Sequence, residues 1–243
     1  MPRILVINPV STSVWDKVTY EYLKSIASLR TEVVVRSLKE GPKSIESEYD
    51  RDLAARYVVE EVVRAEKESF DAVIINCFDD PGLHAARERV SILVLGIGET
   101  SIITALLLGH KIAIISTGRN ARALYHKKVL ELGIIDRVAY TGGVELGVLE
   151  MREDVNRLKK LVIDEAKKAI DVYGAEVIVL GCGGFIGLAK DLEKALGVPV
   201  IDPTPTTFKI AEALVSVGMR HSKVYLYNPP EHKLKEWETS GTN

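Results

Sequence analysis

The sequence predicts an α/β fold in which parallel sheets are covered by helices on both faces. Short runs rich in Val, Ile and Leu alternate with longer segments of helical periodicity along most of the 243 residues. These runs are almost continuously apolar, as is typical of strands that are buried on both sides of a parallel sheet. An internal repeat, described below, indicates that the chain holds two such sheets.

The first half of the chain contains four predicted strands with helices between them. The strands are β-branched runs, and the intervening segments have the length of helices. A polar connection at 37–50 is long for a compact α/β unit, and such connections often carry functional residues. We predict strands at 3–9, 31–38, 71–77 and 91–96, and helices near 14–29, 51–68 and 81–89.

The second half of the chain repeats this order. The tail that follows begins like one more strand at residue 222 and becomes polar towards residue 243. We predict strands at 111–117, 137–142, 175–182 and 198–202, and helices near 119–132, 152–173, 185–196 and 204–217.

The two halves match in detail around the cysteines. "DAVIINCFDDPGL" (71–83) and "AEVIVLGCGGFIGL" (175–188) both read as an apolar strand, a cysteine, a loop and a helix. Asn8 and Ser116 likewise occupy equivalent exits of the first strand in each half.

This repeat predicts two pseudo-symmetric, flavodoxin-like units, each with a mostly parallel four-stranded sheet flanked by helices. We place the N-terminal α/β unit at 1–97 and the C-terminal α/β unit at 98–203, and we expect the segment 204–243 to complete the first unit. The site is expected in the cleft between the units, because ligands bind at the carboxyl ends of parallel strands.

Two units facing each other would bring Cys77 and Cys182 to one cavity from opposite sides. We expect a helix to begin just after each cysteine, and its N-terminus would favour the thiolate. An unperturbed thiol with a pKa of ~8.5 is only about 3% ionised at pH 7, and lowering that pKa by roughly one unit gives about a quarter. Either thiolate could then act as a base, with the opposite thiol as an acid.

Five motifs, in order along nearly the whole chain, resemble the hydantoin racemase family of the aspartate/glutamate racemase superfamily. The resemblance implies a cofactor-independent racemase of two α/β domains related by a pseudo-twofold axis, often assembled as a homo-oligomer. No cofactor and no metal are expected, and the substrate would be a 5-monosubstituted hydantoin. The motifs are "INP" (7–9), "GPKSIESEYD" (41–50), "NCFDDPGL" (76–83), "ISTG" (115–118) and "LGCGGF" (180–185).

The resemblance also implies a two-base reaction with Cys77 and Cys182 as the catalytic pair. One thiolate would remove the proton from the carbon beside a carbonyl, and the other cysteine would deliver a proton to the opposite face. The intermediate is an enolate, so the site must stabilise charge on oxygen. The candidate substrate-binding residues are Asn8, Ser44, Ile45, Phe78, Asp79, Ser116, Thr117, Gly183 and Gly184.

Two residues depart from the family pattern. Val10 stands where many relatives have a second asparagine, and Asp79 stands where glycine is usual. A carboxylate beside Cys77 would raise its pKa and favour the acid role for this cysteine, unless the carboxylate points to solvent. The glycines and phenylalanine of "CGGF" (182–185) suit a neutral ring better than a dicarboxylate.

Several other functions stay open on the sequence alone. A racemase of allantoin, aspartate or glutamate, or a related decarboxylase or isomerase, would suit the same scaffold. A thiol redox or small-molecule-binding module is the non-enzymatic alternative, although no C-x-x-C motif is present. For a cysteine–histidine pair, His84 is the histidine nearest to Cys77 in sequence. The segment "GCGGFIG" (181–187) does not fit a dinucleotide-binding fingerprint. Asp79 and Asp80 could form only a turn and a helix cap.

Composition and charge argue against further classes of protein. The net charge of −2, without a block of like charges, gives no indication of a nucleic-acid or acidic-lipid partner. The longest apolar stretch, 101–109, is too short to span a bilayer, and the N-terminus has no signal-peptide layout. We therefore expect a cytoplasmic protein with reduced thiols, a small-molecule substrate and no membrane partner.

Overall fold

The structure, a computed structural model, contains two four-stranded sheets. It describes residues 1–240, and side chains through residue 237. All eight predicted strands are present, and each forms where an apolar run was expected. Their bounds are β1 (Arg3–Asn8), β2 (Glu32–Ser37), β3 (Ala72–Ile75), β4 (Leu93–Gly96), β5 (Ile112–Thr117), β6 (Val138–Val144), β7 (Val177–Leu180) and β8 (Val200–Ile201).

Helices connect and cover these strands. The seven predicted helices are present, with ends shifted by a few residues. Short 3-10 helices lie at Ile135–Arg137, Leu149–Arg152 and Gly183–Phe185. The α-helices are α1 (Asp16–Ile26), α2 (Glu48–Lys67), α3 (Leu83–Arg89), α4 (Ile97–Ala105), α5 (Ala121–Glu131), α6 (Val155–Asp171), α7 (Ala189–Leu196), α8 (Pro203–Ser216) and α9 (Glu231–Ser240).

The two sheets have the same topology. Their strand orders are β2-β1-β3-β4 and β6-β5-β7-β8, and every pairing is parallel. The chain therefore reverses its direction of winding between β1 and β3 in one sheet and between β5 and β7 in the other. Ligands bind at such switch points, outside the carboxyl ends of the strands. The predicted fold of two similar parallel units is confirmed.

Local sequence explains why the covering helices form, and α6 is a clear case. Asp154 caps its first turn by accepting a hydrogen bond from the Arg157 N–H at 2.9 Å. Its buried positions are spaced by three or four residues, which places them on one face against the second sheet. These residues are Leu158, Val162, Ala166 and Ala169.

Two helices cover the sheet of the opposite unit. Helix α4 follows β4, yet its Ile102 and Ala105 pack with β5 and β7 of the second sheet. Helix α8 follows β8, yet its Phe208 and Ala211 pack with β1 and β3 of the first sheet. The two helices also contact each other. Each sheet is therefore completed by a helix that follows the other sheet in sequence, and this exchange holds the two units together.

The tail after α8 differs from the prediction. In the described residues it forms no strand; side chains rather than backbone groups bind it to β4, at the edge of the first sheet, and to the end of α3. The Val94 N–H donates to His221 Nε2 at 2.9 Å, and the Lys223 ammonium donates to the carbonyl oxygens of Arg87 and Glu88. Residues 241–243 of the segment assigned to the first unit lie outside the described residues.

The described helices can also be judged as membrane spans. Between residues 1 and 240, no helix combines the length and the apolar character that crossing a bilayer requires.

Candidate active site

Cys77 and Cys182 line the same cavity between the two units. Each lies two residues beyond the third strand of its unit, β3 or β7, at the switch point of the sheet. The cavity has two chambers that share both cysteines, Ile45 and Val148 as walls. If a molecule binds with one of its carbon atoms between the sulfurs, the rest of the molecule therefore extends into both chambers.

The two chambers differ in size and lining. The Trp15 chamber has a volume of about 50 Å³ and is walled by Trp15, Asn76 and the glycines Gly183 and Gly184. The Asp79 chamber has a volume of about 270 Å³ and is lined more by polar groups. Its walls include Glu46, Phe78, Asp79, Thr117, Arg119 and Asn120.

The two sulfurs have matching hydrogen bonds. The Gly184 N–H donates to Cys182 Sγ at 3.4 Å, and the Asp79 N–H donates to the Cys77 thiol. In both loops the donor lies two residues after the cysteine. This N–H stabilises a thiolate on either side of the cavity.

The expected helices do not begin beside the cysteines. Helix α3 begins at Leu83 and α7 at Ala189, six and seven residues after the cysteines, which is too far along the chain to place a helix N-terminus on a sulfur. Only the short 3-10 turn Gly183–Phe185 follows Cys182 directly. The prediction that helix dipoles lower both thiol pKa values is therefore wrong.

Burial instead raises the pKa of both thiols. The pKa of Cys77 lies well above its ordinary value, because the thiol is desolvated and the Asp79 carboxylate adds like-charge repulsion. Desolvation raises the pKa of Cys182 to about 11, against the opposing effect of the Gly184 N–H. Both thiols consequently hold their protons at neutral pH when the cavity contains no substrate.

Asp79 lines the cavity on one side and an outer surface pocket on the other. Burial raises its pKa to about 6, and the neighbouring Lys128 limits this rise. Among the described residues, no donor forms a hydrogen bond to its carboxylate. At neutral pH the carboxyl group is therefore mostly ionised and free to accept a hydrogen bond.

The next residue, Asp80, has a structural task. Its two oxygens accept hydrogen bonds from the Gly98 and Glu99 N–H groups at 2.9 and 2.8 Å, and Lys128 Nζ lies 2.6 Å away. Asp80 thus binds the first turn of α4. The helix-cap interpretation holds for Asp80, but at a different helix from the one that follows it in sequence, and it does not extend to Asp79.

Asn8 holds the residue that precedes Cys77. Its amide donates to Asp16 Oδ1 and its oxygen accepts from Asn76 Nδ2, both at 2.7 Å. Thr204 Oγ1 donates to Asn76 Oδ1 at 2.7 Å. Asn8 lines the Trp15 chamber, but this network already engages both ends of its amide. It fixes the strand exit on which Cys77 lies.

Ser116 holds the residue that precedes Cys182. Its hydroxyl donates to the Gly181 carbonyl oxygen at 2.5 Å, and the Tyr125 hydroxyl donates to the same oxygen at 3.1 Å. A Cβ atom at position 181 would lie only 2.6 Å from Ser116 Cβ, so this approach requires glycine. The equivalent strand exits in the two units therefore carry out equivalent positioning.

The remaining predicted residues divide into two groups. Ile45, Phe78, Thr117, Gly183 and Gly184 all line the cavity. Ser44 does not line it, and its hydroxyl donates to Glu46 Oε1 at 2.8 Å. His84 also lies outside it and hydrogen-bonds the Tyr227 hydroxyl.

Sequence reasoning missed one wall of the cavity. Val148 lies in the connection after β6, and Ile45 lies in the equivalent connection after β2. A Cβ atom on Gly147 would lie 3.7 Å from Glu46 Oε2, so these two connections approach each other closely. The repeat contains the signal that would have found Val148, because the connection at 37–50 has a counterpart after the second strand of the other unit.

Trp15, Asn76 and Met151 were also missed. Trp15 and Asn76 line the Trp15 chamber, and Met151 Sδ lies 4.0 Å from Cys182 Sγ. A buried tryptophan or methionine cannot be told from an ordinary core residue in a single sequence. Within residues 1–237, no group of three His, Cys, Asp or Glu side chains is arranged to hold a metal ion.

Known proteins share this arrangement along nearly the whole chain. Residues 4–211 match the family model described as Asp/Glu/Hydantoin racemase. The hydantoin racemase of Pseudomonas sp. (strain NS671) is 38% identical over 231 residues, which cover 95% of this chain and 93% of that protein.

Solved structures agree with the sequence match. An allantoin racemase from Klebsiella pneumoniae superposes with a TM-score of 0.89 at 30% identity, covering 95% of this chain and 94% of that one. The allantoin racemase from Pseudomonas fluorescens gives the same TM-score at 33% identity, covering 94% and 97%. The chain therefore belongs to the Asp/Glu/hydantoin racemase family and is an isomerase of the racemase class.

Proposed function

We propose that the protein racemises 5-monosubstituted hydantoins with Cys77 and Cys182 as the two acid/base groups. One observation carries the proposal: both thiols line one cavity from equivalent positions of two pseudo-symmetric units. Racemisation requires an acid and a base on opposite faces of one carbon, and a duplicated unit supplies that geometry. No other pair of thiols exists in the sequence.

The reaction transfers one proton from each side. A thiolate on one face takes the proton of C5, and the electron pair of that bond moves onto the adjacent carbonyl oxygen as an enolate. The thiol on the other face then gives its proton to C5, and the enolate electrons form the new C–H bond. The enzyme ends with the thiolate and thiol exchanged, ready for the opposite enantiomer.

The raised thiol pKa values set the pH dependence of this chemistry. A thiolate of high pKa is a stronger base towards the carbon acid, but a catalytic base works best when its pKa lies near the operating pH, because enough of it is then ionised. The active form has lost one of the two thiol protons, so its population is small at neutral pH. We therefore expect kcat/KM to rise with pH through the neutral range.

Two backbone N–H groups are candidates to stabilise the enolate. The N–H groups of Phe78 and Gly183, each directly after a cysteine, have no hydrogen-bond acceptor among the described residues. Both residues line the cavity. In other enzymes, one such donor is worth roughly 10²–10³ in kcat.

The walls of the Trp15 chamber suit a flat ring. A Cβ atom on Gly184 would lie 3.0 Å from Met151 Sδ and 3.2 Å from the Trp15 ring, so a side chain there would fill the chamber. Ile45 closes the other side. We place the hydantoin ring here, with Asn8 and Ser116 as positioning residues rather than direct ligands and Thr117 in the chamber opposite.

Allantoin is the second candidate substrate. It is a hydantoin with a ureido group on C5, so the same reaction applies. The observation in its favour is the TM-score of 0.89 to two allantoin racemases. The polar Asp79 chamber would receive the ureido group.

The test follows one enantiomer in deuterated buffer. Enzyme is added to a single enantiomer of 5-benzylhydantoin, of 5-isobutylhydantoin and of allantoin, and optical rotation and the C5 proton signal are recorded together. We expect the rotation to decay while deuterium enters C5, faster than in an enzyme-free blank at the same pH. A rotation that decays no faster than the blank with every hydantoin would overturn the proposal.

A further inference from the structure

We infer that the Asp79 chamber is a subsite for ring substituents that end in a cationic amine, with the Asp79 carboxylate as its hydrogen-bond acceptor. This inference rests on the proposed function, because it assigns the substituent of the same hydantoin. It adds a substrate class: hydantoins whose C5 chain carries an ammonium group.

The geometry of the cavity separates ring from substituent. C5 must lie between the two sulfurs, which form the boundary shared by both chambers. The ring is the invariant part of the substrate, and we place it on the side of the Trp15 chamber, whose walls are held by the Asn8 and Asn76 network. The variable substituent then extends into the chamber of about 270 Å³.

The chemistry of the larger chamber selects the substituent. Its Asp79 carboxylate is desolvated and has no donor among the described residues, so a bound donor would satisfy a group that is otherwise costly to bury. Glu46 adds a second negative charge on the wall. Arg119 is the single cation of this lining and its side chain is exposed at the rim, where solvent screens it.

Other charged groups around Asp79 are already paired. Lys128 is bound to Asp80, and Arg51 forms ion pairs with Glu48 and Asp52. These pairs leave the Asp79 carboxylate without a direct cationic partner. An ammonium group entering the chamber would be that partner, through a charge-assisted hydrogen bond.

The experiment compares matched substrates. Racemisation is measured for 5-(2-aminoethyl)-, 5-(3-aminopropyl)- and 5-(4-aminobutyl)hydantoin, each against the methyl-terminated chain of equal length. We expect kcat/KM to favour the amine by roughly fivefold to tenfold for at least one chain length. The Asp79→Asn variant should lose this preference. The ratio of the two substrates cancels any effect of the substitution on the Cys77 thiol.

Two controls separate the subsite from overall charge. Asp171→Asn removes one exposed negative charge at the end of α6, away from the cavity, and should keep both the activity and the preference. In the native protein the preference should fall as pH drops below about 6, where the Asp79 carboxyl group takes up a proton. The Asp79→Asn profile subtracts the contribution of the other charged and titratable groups around Asp79. These are Asp80, Glu46, Glu48, Lys128, Arg51, Arg119, Tyr125 and the two thiols, with Asp52, His84, Glu99 and Glu131 on the outer side.

The outcomes distinguish this inference from the proposed function. Racemisation of both substrate types with no amine preference at any chain length, or with a preference that survives in Asp79→Asn, would overturn the subsite and leave the racemase standing. Absence of racemisation with every hydantoin would overturn the proposed function. Calorimetric titration with the amine and methyl pairs then tests the subsite without turnover, and equal affinities would reject it.

Discussion

The loops that carry Cys77 and Cys182 share a backbone design but differ in charge. In both, a polar group at the exit of the first strand holds the residue before the cysteine, and an N–H two residues later donates to the sulfur. Only the first loop places a carboxylate, Asp79, beside its thiol. The backbone geometry around the two thiols is therefore duplicated, but their proton affinity is not. The comparison teaches that the thiolates on the two faces of the cavity need not be equally strong bases.

Removing either thiol should have the largest effect on racemisation, because only one of the two cysteine loops then carries an acid/base group. We expect Cys77→Ala and Cys182→Ala each to lower racemisation by about 10³-fold, the effect of losing an acid/base group. Each variant should still exchange deuterium into one enantiomer, the one whose proton faces the remaining thiol, and the two variants should prefer opposite enantiomers. The C5 proton signal of each pure enantiomer in deuterated buffer measures this.

If both alanine variants kept full racemisation, the two-thiol reaction would be wrong. Val10→Ala serves as a control for changes in the cavity wall, since Val10 lines the Trp15 chamber but has no ionisable group.

Removing the two positioning side chains, Asn8 and Ser116, should lower the stability of the protein by different amounts. Asn8→Ala leaves the buried Asn76 amide without its acceptor, so we expect a loss of about 2 to 3 kcal/mol in the free energy of unfolding. Ser116→Ala should lose about 1 kcal/mol, because the Tyr125 hydroxyl still donates to the Gly181 carbonyl. Urea denaturation measures both, and equal losses would show that the two exits are held with equal strength.

Two buried carboxyl groups extend the contrast between the halves. Asp80 binds Lys128, whereas Asp202 accepts from the Gly187 N–H at 2.6 Å and, among described residues, its buried Oδ1 has no partner. Burial raises the pKa of Asp202 to about 7 from an ordinary 3.8. The unfolded chain releases this proton near pH 4 and the folded protein near pH 7, so this carboxyl group lowers stability as pH rises between those values.

Asp202→Asn should therefore stabilise the protein at pH 8 by up to about 4 kcal/mol and flatten its stability between pH 4 and 7. Thermal unfolding across that pH range measures the effect. A melting temperature that falls at pH 8 would show that the ionised carboxylate is satisfied in the native fold.

Making the two thiols more alike should give the smallest effect. Asp79→Asn removes the like charge from beside Cys77, so its pKa should fall and its thiolate fraction at pH 8 should rise by up to about tenfold. The rate of iodoacetamide alkylation at Cys77, followed by mass spectrometry, measures the change. Alkylation at Cys182 should change less, because Asp79 is a weaker cause of its raised pKa. An unchanged rate at Cys77 would show that desolvation alone sets its pKa.

Much of the fold followed from the sequence because the strands are continuous apolar runs. The equivalence of Cys77 and Cys182 followed as well, since a repeat constrains where strand exits meet. The direction of the thiol pKa shifts did not follow, because the onset of α3 and α7 depends on tertiary packing that moves each helix start several residues downstream. The hydrogen bonds by which Asn8 and Ser116 hold the residues before the cysteines did not follow either, since a buried amide or hydroxyl reveals its partner only in three dimensions.

The exchange of α4 and α8 between the sheets also has a consequence for the chain as a whole. A break between β4 and α4 would give two fragments, 1–96 and 97–243. The first would lack α8, which covers its sheet, and the second would contain α8 without the sheet that it covers. We expect neither piece to fold alone and the mixture to recover helical circular dichroism. Autonomous folding of the shorter piece would contradict this. The halves look like a duplication, but they are interdependent parts of one cooperative body.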